Sequence, residues 1–222
     1  MCTVSYFPTP KGYILTSNRD ENPGRETEPP RKNHLPDGSE VTYPRDVEKG
    51  GTWIAMDDGG RAACLLNGAF ERHLRKTNYR MSRGLLIIEA FNAANFEEFT
   101  AEVNLLDIEP FTLILIDSAR LVKVVWDGIN KFQWQLDPTS MHLWSSATLY
   151  SDAMHSKKLE YLIDVTKGNI SIGREAIMEI HGIHNRTPFI LDREKVKTVS
   201  ITQIWYDGTK AKMKYITKNQ AL

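Results

Sequence analysis

Cysteine is scarce in this sequence of 222 residues, with only Cys2 and Cys64 present. Two are too few for a disulfide framework in a chain of this length. No surplus of charge exists either, since Lys+Arg and Asp+Glu both number 28. Balanced charge supplies no electrostatic footprint for nucleic acid or for an anionic membrane. Long apolar runs are missing. Leu85 to Ile88 and Leu113 to Ile116 are among the longest, and they are far too short to cross a bilayer. The opening MCTVSYFPTPKGY has no basic stretch followed by a long apolar one, so it does not read as a signal peptide. The expectation is a cytoplasmic protein with reduced thiols, no nucleic-acid partner and no stable membrane insertion. Metal-ligand spacing is lacking too. His181 and His184 stand three apart, with His142 and His155 elsewhere, and without further ligands they read as helix-surface histidines. No metal and no cofactor are expected.

What is present describes an ordinary globular protein, with 41% hydrophobic and 25% charged residues. Strands are expected at Cys2 to Phe7 and Tyr13 to Ser17, turning at Pro8–Gly12. Residues 22–50, with Pro23, Pro29, Pro30, Pro36 and Pro44, read as a long irregular excursion. Thr52 to Asp57 and Arg61 to Asn67 flank the hairpin turn Asp58-Gly59-Gly60. The polar, basic residues 68–80 read as loop. Helical spacing follows over Met81 to Asn95, with Ser82 as a cap, and over Phe96 to Val103. Four strands occupy Phe111 to Ser145, two helices Met154 to Ile183, and a closing hairpin runs through Asp207-Gly208. Strands and helices in blocks indicate an α+β fold and not a βαβ repeat. One domain is expected over residues 1–222.

Cys2 is the residue with the most chemical potential. Methionine is normally trimmed before a small second residue, which leaves Cys2 with a thiol and a free α-amine. That amine titrates near pH ~7.7–8.0, so a useful fraction is a free base near neutrality. It can accept the proton of its own side chain, as N-terminal Thr, Ser and Cys nucleophiles do. On position alone, a small apolar residue opening an edge strand is the plainer reading. Antiparallel pairing of the first two strands would bring Asn18-Arg19-Asp20-Glu21 back beside Cys2. Arg19 would favour the thiolate and Asp20 would hold the protonated amine. Asn67, at the end of a strand, can donate to an oxyanion, though such an Asn more often opens a turn with Gly68. The basic stretch Arg72, Arg75, Lys76, Arg80 and Arg83 can contact an anion, but a solvated loop accounts for it. Cys64 and the five tryptophans read as core.

Together, Met1-Cys2-Thr3, Asn18-Arg19-Asp20-Glu21, Gly50-Gly51-Thr52-Trp53-Ile54-Ala55, Gly60-Arg61-Ala62-Ala63, Asn67 and Ser200-Ile201-Thr202-Gln203-Ile204 with Asp207-Gly208 resemble the NRDE family. That group includes the transport-and-Golgi-organisation protein 2. The motifs cover about the first 70 residues and about 20 near the end, in family order. The family is related in fold to the N-terminal-nucleophile (Ntn) hydrolases, and its nearest enzymatic analogues are choloylglycine hydrolases, which comprise bile salt hydrolases and penicillin V acylases. The resemblance implies a four-layer αββα sandwich with two stacked, mostly antiparallel sheets. It implies Cys2 as nucleophile, Arg19 and Asp20 as its orienting pair, Asn67 as oxyanion donor, and Asn18 and Ser146 as substrate contacts. Two departures stand out, because Ala147 replaces a family Asn and Val199 a family Arg.

Three functions compete on these grounds. The first is an N-terminal-cysteine hydrolase of a linear amide (C–N) bond acting on a small molecule. The second is a non-catalytic carrier of haem or lipid, since members of the family are linked to haem trafficking and lipid homeostasis. The third is an inactive relative that kept the fold, which Ala147 and Val199 motivate.

Overall fold

The computed structural model describes residues 2–117 and 120–218. Two antiparallel sheets carry the chain. The five-stranded sheet has the order β10-β1-β2-β11-β12, from β1 (Cys2–Thr9), β2 (Gly12–Glu21), β10 (His142–Ser145), β11 (Lys197–Tyr206) and β12 (Ala211–Thr217). The seven-stranded sheet runs in sequence order through β3 (Thr27–His34), β4 (Glu40–Asp46), β5 (Ile54–Met56), β6 (Ala62–Asn67), β7 (Phe111–Asp117), β8 (Arg120–Trp126) and β9 (Lys131–Leu136).

Alternation along the strands builds three apolar layers. Val4, Tyr6, Leu15, Ile54, Cys64, Leu66, Ile114 and Ile204 point between the sheets. The opposite face of the larger sheet packs on α1 (Leu85–Asn92) and α2 (Phe96–Glu102) through Leu65, Leu113, Leu86, Phe91 and Phe99. The opposite face of the smaller one packs on α3 (Asp152–Thr166) and α4 (Arg174–Ile180) through Phe7, Ile14, Leu162 and Ile177. The result is the expected αββα sandwich. No described helix is long and apolar enough to cross a membrane.

Four expectations are corrected. Residues 22–50 are not irregular, since β3 and β4 form the edge hairpin of the larger sheet. Their prolines collect where no ladder bond is needed. The register jumps from Glu28↔Arg45 to Arg31↔Tyr43, which sets Pro29 and Pro30 in a bulge against Pro44. Ser82 does not cap α1, because the N-cap is Gly84 and no side chain bonds there. His181 is not on a helix surface. It terminates α4, is fully buried against the smaller sheet, and belongs to the polar network below. Among the tryptophans, Trp53, Trp126 and Trp144 are core, whereas Trp134 is 41% exposed on the edge strand β9.

Candidate functional site

Pairing of β1 with β2 sets Cys2 opposite Arg19 and Thr3 opposite Asn18. Directly opposed residues share a face. Cys2 and Arg19 therefore point between the sheets, while Thr3, Asn18 and Asp20 point towards the helices. The motif is thus split between two faces of one sheet end, each with its own chemistry.

On the inner face, Arg19 is buried and already paired. Its guanidinium donates to Asp46 at 2.5 Å and to Thr27, and stacks over Trp53 at 4.3 Å. Asp46 also accepts from Arg25 Nε at 2.7 Å. Cys2 is fully buried. Burial pushes its thiol pKa up, Asp20 adds to the rise, and a Ser17 hydrogen bond and the Arg19 charge offset only part of it. Arg19 therefore does not generate a standing thiolate here. Its charge is spent on Asp46, and desolvation wins.

On the helix face, Asp20 is fully buried between two hydroxyl donors, Tyr150 at 2.5 Å and Thr198 at 2.6 Å. Burial raises its pKa, while those bonds and the nearby Lys158 lower it. Lys158 is a functional candidate that sequence reading missed. It sits on α3, 1% exposed, with Nζ donating to Thr3 Oγ1 at 2.5 Å and lying 3.0 Å from the Tyr150 ring centre. Burial pulls its pKa down to about 7, with Asp20 opposing. A lysine at helical spacing on a mostly polar helix gives no hint of burial. Only the fold brings it to Asp20.

Asn18 is fully buried away from any opening. Its Nδ2–H group donates to His181 O and Phe189 O, both at 3.0 Å, which commits its Oδ1 as acceptor from His181 Nδ1–H at 2.6 Å. His181 Nε2 then accepts from Ser5 Oγ at 2.7 Å. Ser146 is also fully buried. Its N–H donates to Cys2 O at 3.0 Å and its Oγ to Asn67 O at 2.5 Å. It ties the strand of Cys2 to the residue expected to donate to an oxyanion. Neither Asn18 nor Ser146 lines the cleft described next.

That cleft, of about 660 Å³, opens where β2, β4 and β6 end, and Arg19, Asn67, Trp53, Arg83, Glu109 and Thr148 are among its walls. The Asn67 side-chain amide has no protein partner among the described residues. Position 147 borders the turn after it, because a Cβ on Gly68 would come 3.4 Å from Ala147 Cβ. Val199 falls in the β11 bulge between Thr198 and Ser200, out of register with β2 beside Arg19 and Asp20. Gly51 is explained by contact, since a Cβ there would meet the Gly84 carbonyl carbon at 2.6 Å and Leu85 N at 2.8 Å. No group of three metal-ligating side chains occurs among the described residues.

A family model described as Transport and Golgi organisation 2 matches residues 1–209. The chain belongs to that family. Of the residues that carry the Transport and Golgi organisation 2 resemblance, Asn18 to Glu21 lie on β2, and Gly51, Thr52 and Trp53 line the cleft. No curated protein matches the sequence. Among solved structures, a Caenorhabditis elegans ortholog of N-acylethanolamine-hydrolyzing acid amidase has a TM-score of 0.65 at 13% identity, covering 96% of this chain and all of that one. A mutant of conjugated bile acid hydrolase from Clostridium perfringens has a TM-score of 0.61 at 9% identity, covering 99% and 93%. A second variant of the same hydrolase gives 0.59 at 10% identity. At such identities the likeness is one of fold, and the fold is that of the Ntn hydrolases.

Proposed function

We propose that this Transport and Golgi organisation 2 family protein hydrolyses a linear amide bond, with Cys2 as nucleophile and its own α-amine as base. The observation that carries this reading is the placing of Cys2. It opens β1 in register with Arg19, and Arg19, Asn67 and Thr148 line the adjoining cleft.

The raised thiol pKa assigns the work of activation. Cys2 stays protonated until its amine accepts the proton as the sulfur attacks the substrate carbonyl. A C–S bond forms, and the carbonyl electron pair moves onto oxygen, which Asn67 Nδ2–H stabilises. The electron pair returns, the C–N bond breaks, and the ammonium proton passes to the leaving amine. Water then attacks the thioester. Its proton moves to the α-amine, the C–S bond breaks, and the acid departs as the thiol is restored. Asp20, held by Tyr150 and Thr198, supplies the carboxylate that steadies the ammonium form. Arg19 and Ser146 fix the strand end and Asn67.

An intact mass measurement should show a mature chain that starts at Cys2. A cysteine-directed electrophile should then label Cys2, and Cys2→Ala should abolish turnover of a panel of N-acyl amines at an unchanged melting temperature. A retained Met1, or equal turnover by Cys2→Ala, refutes the reading.

A further inference from the structure

The cleft carries more positive charge than its own acids neutralise. Six of its lining side chains are Lys or Arg and three are Asp or Glu, an excess of three positive charges. The whole chain is neutral by the same count, so the excess is local. It centres on Glu109, because Arg19, Arg25 and Lys49 on the other side are matched by Asp46, Glu21 and Glu48. Asp46 holds Arg19 and Arg25. Glu109 faces Arg83 at 3.1 Å, His73 at 3.3 Å and Arg75 at 3.5 Å. Arg72 has no carboxylate partner among the described residues.

These cations act on one another across the cleft. The Arg83 guanidinium is mostly buried, and burial lowers its pKa to about 10. Glu109 opposes that fall, and Arg75 and Arg25 deepen it. Guanidiniums gathered into a concave, partly desolvated space repel until an anion enters between them. Arginine suits the purpose, because its planar fork takes two oxygens of a carboxylate or phosphate at once. A volume of about 660 Å³ accommodates a small metabolite. The wall also holds buried polar atoms without protein partners, Trp53 Nε1 and His73 Nδ1.

We propose that the cleft contains an anion subsite formed by Arg72, Arg75 and Arg83, and that it selects substrates bearing a carboxylate or phosphate group. The subsite assigns a substrate class to the hydrolase reading above and rests on the same cleft. The sequence stretch that reads as a solvated loop is then the recognition element. Its outer members Arg72 and Arg75 reach the ligand from solvent, and Arg83 receives it at the wall.

Binding tests the subsite without turnover. The probe is inorganic pyrophosphate, titrated by calorimetry into Cys2→Ala protein at low salt. Saturable one-site binding that weakens steeply as salt rises is expected. Arg72→Gln with Arg75→Gln should weaken it about tenfold or more at an unchanged melting temperature, since both side chains are exposed. Arg31→Gln, an exposed cation outside the cleft, should leave it unchanged. Absence of binding, or equal losses in the two variants, overturns the subsite. The two ideas also separate on activity. Hydrolysis of neutral and anionic N-acyl amines with equal kcat/KM removes the subsite and leaves the amidase. Pyrophosphate binding that needs Arg72 and Arg75, without turnover of any amide, removes the amidase and leaves the subsite.

Discussion

Lowering the pH should destabilise this protein through His181. The imidazole is fully buried, bonded on one nitrogen to Asn18 and on the other to Ser5, and burial holds its pKa near 3. The unfolded chain returns it to about 6.5. The native state therefore stays neutral where the unfolded state takes up a proton. Stability from this group is complete above about pH 6.5 and falls as the pH drops towards about 3. Between about pH 7.5 and pH 5 the loss from one such histidine is about 2 kcal/mol. Urea denaturation at both pH values measures it, with His181→Gln as the comparison. The wild type should lose about 2 kcal/mol more than the variant over that interval, because carboxylates contribute alike to both. Should the variant fail to fold, the His181 ring proton in wild-type protein gives the same answer by nuclear magnetic resonance. A resonance that titrates near pH 6.5, or parallel stability losses in the two proteins, refutes the reasoning.

Three further outcomes are expected. Tyr150→Phe removes a hydroxyl that donates to buried Asp20 at 2.5 Å, and should destabilise the fold by about 1.5–3 kcal/mol in urea melts. Gly51→Ala forces a methyl group into the Gly84 backbone and should cost about 1–3 kcal/mol or more by the same measurement. Lys158→Met removes a lysine whose folded pKa lies near 7. The wild type should gain stability from about pH 7 to pH 10, where only its unfolded state keeps that proton, and the variant should gain less.

The α+β class was legible because alternation and block order survive in a single sequence, whereas the sandwich came from the family resemblance. Cys2 to Phe7 and Tyr13 to Ser17 announce a hairpin, and their pairing brings Arg19 opposite Cys2. Proline density misled at residues 22–50, since it cannot tell a loop from an edge strand whose prolines share one bulge. The strand-end positions of Cys2, Arg19, Asp20 and Asn67 were legible, because they follow from local strand boundaries and one hairpin pairing. Lys158 and His181 were hidden for the same physical reason as each other. Their roles depend on which face of a helix the smaller sheet covers, a non-local fact that no spacing within the helix contains.

The division of the motif between two faces explains why four consecutive residues do different things. In a strand, neighbours cannot share an environment. Asn18 and Asp20 must look towards α3 and α4, where hydroxyls, an imidazole and a lysine satisfy them. Arg19 must look between the sheets, where Asp46 and Trp53 hold it. The guanidinium lines the cleft and, in the proposed mechanism, leaves thiol ionisation to the amine. An arginine left free of Asp46 would stabilise a permanent thiolate, open to oxidation and alkylation before any substrate arrived. In the proposed mechanism the charge is tied down, the thiol is buried, and reactivity waits on the base that Met1 removal would create.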